Sequence, residues 1–134
     1  MKKFLTAVVI GLALALSFAF VACGKTDGGT YYPDKTEMSQ NMQTKGYQLY
    51  SSDSLIGDGT GTFFSAEKGE DYLKFYWLDD PADCDYYYHL LEEGYPDCNV
   101  LVMIENDEKF GNLVYCGTSA AVDDSGIRVI KVKV

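Results

Sequence analysis

Phe4 to Ala22 is a run of 19 residues with no charge, and only Thr6, Gly11 and Ser17 interrupt its aliphatic and aromatic side chains. A short positive segment, Met1-Lys2-Lys3, precedes it. That is the layout of an export signal, which takes no part in a folded core. The run is also long enough for a tilted membrane span, so its length alone does not separate removal from retention. Setting residues 1–22 apart leaves 112 of the 134 residues to fold. A chain of that size buries roughly two thirds of the surface it exposes when unfolded, enough for one core without metal or disulfide staples. Removing Lys2 and Lys3 also moves the formal charge from -9 to -11. The remaining basic residues are scattered among carboxylates, which argues against a nucleic-acid partner, because such a surface needs a basic patch.

The end of the apolar run separates cleavage from retention. Phe20-Val21-Ala22-Cys23-Gly24 resembles the lipobox of bacterial lipoproteins. The resemblance implies cleavage after Ala22 and acylation of the Cys23 thiol. It also implies a protein anchored by lipid on the extracytoplasmic face of the cell membrane. Gly24 to Thr30 has three glycines and no apolar residue, and reads as a flexible tether. The expected organisation is a signal segment at 1–22, a lipidated cysteine and tether at 23–33, and one α+β domain at 34–134.

Within the domain, Asp34 with Glu37 resembles a capping box, and Gly46-Tyr47 resembles a Schellman end, so a helix is predicted over about 35–45. A short strand follows at Tyr47–Ser51, then the glycine-rich loop Gly57–Gly61. Thr62–Glu67 and Tyr72–Leu78 read as a hairpin. On its second strand Leu73, Phe75 and Trp77 alternate with Tyr72, Lys74 and Tyr76, and the lysine predicts that its own face is the wetter one. Asp80-Pro81 starts a second helix that ends at Gly94, with Cys84, Tyr87, Tyr88 and Leu91 on one apolar stripe. Asn99–Glu105 and Asn112–Cys116 form another strand pair. Thr118 or Ser119 caps a brief helix through Val122, and Ile127–Val134 reads as an edge strand. These elements predict a small antiparallel sheet of four to six strands with helices packed on one face.

Gly46-Tyr47, Ala66-Glu-Lys-Gly, Tyr72-Leu-Lys-Phe-Tyr-Trp-Leu and Val114-Tyr-Cys-Gly-Thr118, in that order, resemble small lipoproteins of Firmicutes, especially clostridia. The resemblance spans about residues 23–123. It implies a tethered α/β domain outside the cytoplasm and carries no assigned activity.

Candidate chemistry is sparse. His89 is the single histidine, and no Gly-x-Ser-x-Gly elbow is present, so no nucleophile–base pair is expected. Asp85, His89 and Glu93 follow one another at four-residue spacing, the sharpest metal-ligand pattern in the chain. Helix positions eight apart are separated by about 12 Å along the axis, so only adjacent pairs could share an ion without another element closing the site, and the face reads as solvated acidic surface. No catalytic residue, metal or cofactor is therefore expected. Gly57, Gly59 and Gly61 resemble a phosphate loop only superficially, since no helix opens after them. The eleven tyrosines are the compositional oddity. Tyr86, Tyr87 and Tyr88 cannot all face a core, because successive helix positions point about 100 degrees apart. Tyr86 is therefore the candidate contact for a protein or glycan partner. The expectation is a membrane-anchored, non-enzymatic module that binds an envelope partner. The competing readings are a metal-assisted envelope enzyme using the His89 face and an inhibitor of a secreted enzyme.

Overall fold

The computed structural model describes residues 29–129. The apolar run, the Ala22–Cys23 junction, residues 24–28 and residues 130–134 lie outside the described residues. In chain order the elements are β1 (Thr30–Tyr31), α1 (Lys35–Thr44), β2 (Gln48–Ser52), β3 (Gly61–Lys68), β4 (Asp71–Leu78), a 3-10 turn (Pro81–Asp83), α2 (Cys84–Gly94), β5 (Val100–Asp107), β6 (Gly111–Gly117), α3 (Ser119–Asp124) and β7 (Arg128–Val129). They form two units. In the first, β1 and β7 make an antiparallel ladder with Tyr31 opposite Arg128, whose guanidinium lies 4.4 Å from the Tyr31 ring centroid. Of the C-terminal edge strand expected at Ile127–Val134, the described part Arg128–Val129 thus pairs with β1 and is not part of the five-stranded sheet.

The second unit, Tyr32–Ile127, contains an antiparallel five-stranded sheet in the order β2-β3-β4-β6-β5. The α+β class and the size of the sheet are as the sequence predicts. Local signals set the element ends. Asp34 accepts the Glu37 amide at 2.8 Å, and α1 closes in a Schellman motif in which the Gly46 and Tyr47 amides donate to the carbonyls of Gln43 and Met42, each at 3.0 Å. Asp80 caps the turn that leads into α2, and Thr118 caps α3.

The placement of the helices differs from expectation, because α2 lies on the opposite face of the sheet from α1 and α3. Leu73 and Phe75 join Phe64, Ala66, Leu113 and Tyr115 in a core closed by Met38 and Met42 of α1 and Ala121 of α3. Trp77 packs against this core and is partly buried. Tyr76 and Leu78, on the other face, join Val114 and Cys116 beneath Cys84, Tyr87 and Leu91 of α2. The reason lies in β4, where alternate residues are apolar on both faces. A strand patterned that way needs cover on both sides, and fully burying each large apolar side chain contributes about 1.5–3 kcal/mol. The face of Lys74 is consequently covered as well, with Lys74 and Tyr76 each 6% exposed against 0% for Leu73 and Phe75 on the other side.

A candidate binding groove beside helix α2

Strand neighbours lie about 4.8 Å apart, so five strands span about 19 Å, whereas a helix with its side chains is about 10–12 Å across. One helix cannot cover that face. α2 packs on β4, β5 and β6, leaving the β2 and β3 end of the face uncovered. Register puts two rows of side chains on this face. Tyr50, Ser65, Lys74, Cys116 and Leu101 make one row across all five strands, and Ser52, Phe63, Tyr76, Val114 and Met103 make the next. The outer members of both rows, together with Leu55 and Ile56 of the following loop, Leu90 of α2 and Tyr95 just after it, line a groove of about 580 Å³.

The groove combines aromatic walls with a charged floor. Tyr50, Phe63 and Tyr76 run in series, with ring centroids 6.2 and 4.8 Å apart, and Tyr50 is 61% exposed at the rim. The Lys74 ammonium donates to Ser65 Oγ at 2.7 Å and to the Glu67 carboxylate, and it sits 5.5 Å from the Tyr95 ring centroid. These bonds use two of its three N–H groups, and the third meets no acceptor among the described residues. The Tyr76 hydroxyl also has no hydrogen-bond partner among the described residues. Burial pushes its pKa up to about 12, so it remains a donor at neutral pH. A buried hydroxyl without a protein partner is uncommon, and here it lines the same groove as the spare N–H of Lys74. Glu67, whose side chain is 61% exposed, supplies an acceptor beside them.

The residues singled out from sequence fall elsewhere. Tyr86 is 50% exposed and meets Tyr87 edge-on at 4.9 Å. It also lies over Gly57, where a Cβ would come within 2.9 Å of its ring. The neighbouring Tyr87 hydroxyl donates to the Ile56 carbonyl at 2.7 Å and accepts the Gly59 amide at 3.1 Å, pinning the glycine loop to α2. His89 contacts Glu92 at 3.1 Å on the exposed side of α2. No three His, Cys, Asp or Glu side chains gather into a metal-binding group among the described residues. Cys84 is buried with a free thiol, its pKa pushed up to about 11 chiefly by burial and then by the nearby acids, Glu105 first.

Sequence reasoning missed the groove. Its signal was a lysine on an otherwise aromatic strand, and without the α2 placement that lysine marked a solvent face. Compared with protein-family models, curated proteins and solved structures, the chain matches none of them.

Proposed function

We propose that the protein is a non-enzymatic, lipid-anchored module of the extracytoplasmic membrane face, held through Cys23, and that the groove beside α2 takes a neutral glycan of the envelope. The observation that carries this reading is the pairing of unsatisfied donors with an aromatic rim. Lys74 and Tyr76 offer N–H and O–H groups, Glu67 and Ser65 offer oxygens, and Tyr50 presents an open ring face. A sugar ring matches this chemistry, with an apolar face for stacking and hydroxyls that both donate and accept. Charge selects among ligands of that size. The Lys74 charge is already balanced by Glu67 and the whole chain is at -9, so an anionic ligand is disfavoured. The resemblance of Phe20–Gly24 to a lipobox, and of the ordered motifs to small Firmicutes lipoproteins, supports the location.

The test is an array of neutral and uronic-acid oligosaccharides probed with the purified protein, followed by titration of any neutral sugar retained. Tyr50→Ala and Tyr76→Phe should each weaken that binding about tenfold, the scale of a single anchoring contact. Tyr86→Ala, outside the groove, should leave it unchanged. Retention of acidic sugars alone, or binding indifferent to Tyr50 and Tyr76, overturns the assignment. Location is read separately, since Cys23→Ser should release the protein from the membrane fraction.

A further inference from the structure

Cys98 and Cys116 meet at the far end of the same face. Leu101 lies opposite Cys116 in the β5–β6 ladder, and the Asn99 amide donates to the Gly117 carbonyl at 3.0 Å, which brings the chain before β5 alongside the end of β6. Cys98 packs against the cluster that contains Cys116. The Cys98 sulfur lies close enough to Cys116 and to the backbone amides of Gly117 and Val100 for each of them to oppose the rise in its pKa that burial causes. The two differ in access, Cys116 being fully buried and Cys98 half-buried. Cys84, the remaining free thiol of the described residues, points instead to the Ile104 carbonyl at 3.8 Å.

We infer that Cys98 and Cys116 form a redox-modification site, a dithiol that closes to an intramolecular disulfide by exchange with a low-molecular-weight disulfide. Cys98 is the attacking group, because it is the one solvent reaches; burial raises the pKa of both thiols, but Cys116 and the Gly117 and Val100 amides work against that rise at Cys98, whereas Cys98 adds to it at Cys116. Cys98 gives its proton to solvent, and the resulting thiolate attacks one sulfur of the small disulfide, whose S–S bond breaks and releases one small thiolate. Cys116 then gives its proton to solvent and attacks the Cys98 sulfur, displacing the second small thiolate. The protein loses two hydrogens and the small disulfide is reduced to two thiols. Burial of Cys116 keeps it from reacting with any partner except its neighbour. The bond would tie the approach to β5 onto the end of β6, closing a loop that contains the whole hairpin.

The experiment equilibrates the full-length protein, purified from membranes, in mixtures of reduced and oxidised glutathione and maps its peptides without reduction. A peptide pair joined through Cys98 and Cys116, two hydrogens lighter than its reduced counterpart, is the expected product, with Cys84 alkylated only after unfolding. Cys116→Ser should stop the reaction at a glutathione adduct on Cys98, and Cys98→Ser should abolish it. A stable glutathione adduct on Cys98 of the unsubstituted protein, a bridge that includes Cys84, or no oxidation at a potential where glutathione is fully oxidised overturns the inference.

Discussion

Gly59 has no room for a side chain, since a Cβ there would stand 2.5 Å from the Tyr87 ring. That ring is fully buried and its hydroxyl bridges the Ile56 carbonyl and the Gly59 amide, so it has little freedom to withdraw. Gly59→Ala should therefore destabilise the protein by about 1–3 kcal/mol through overpacking. Tyr87→Phe should cost about 1–3 kcal/mol by leaving both backbone groups without their partner. Urea denaturation checks both, and a midpoint unchanged in either variant would refute the role given to this contact. Glycine at 57 and 59 reads in the sequence only as a flexible connection. Its actual purpose, making space for Tyr86 and Tyr87, depends on residues nearly thirty positions away, and no local pattern records such a contact. The exposure of Tyr86 was legible, because helix geometry forbids three consecutive tyrosines from facing one way.

The elements themselves were largely legible, because what starts and stops them is local. Asp34, Gly46, Asp80 and Thr118 each act within a turn of their own position; α1 and α3 begin or end where those residues predict, whereas Asp80 starts a 3-10 turn and α2 itself begins at Cys84. Gly46 has φ of +91°, which a side chain resists, so Gly46→Ala should cost about 1 kcal/mol. Thermal unfolding would register that loss as a drop of several degrees in Tm for a domain of this size. The face on which each helix settles was not legible. A helix can dock on either side of a strand that is apolar on both, and one lysine misleads when its ammonium finds Ser65 and Glu67 beneath a helix. The groove shared this fate, since it exists only because α2 covers three strands of five.

For the molecule as a whole, buried acids of high pKa set its response to alkali. Burial pushes the thiol of Cys116 up to about 12 and that of Cys84 up to about 11, and it pushes the Tyr76 hydroxyl up to about 12. In the unfolded chain these groups ionise nearer 9 or 10, so between those values the unfolded state binds fewer protons than the folded one. Stability is then fully present below about pH 9 and falls as pH rises through the folded values. The urea midpoint should be lower at about pH 10.5 than at about pH 8, and an unchanged midpoint would contradict the burial of these three groups. The strand order has a consequence for the time course of assembly. β3–β4 and β5–β6 are hairpins between chain neighbours, whereas the β4–β6 ladder that joins them spans the whole of α2 and β5. Hairpins close in about 1–10 μs, but joining strands far apart in sequence must first overcome the entropy of a long loop. Docking of the two hairpins, where Phe75 meets Tyr115 with ring centroids 4.9 Å apart, is then the slow event. The refolding rate should respond to changes at that ring pair and stay nearly constant when Gly46, at the margin of the sheet, is replaced.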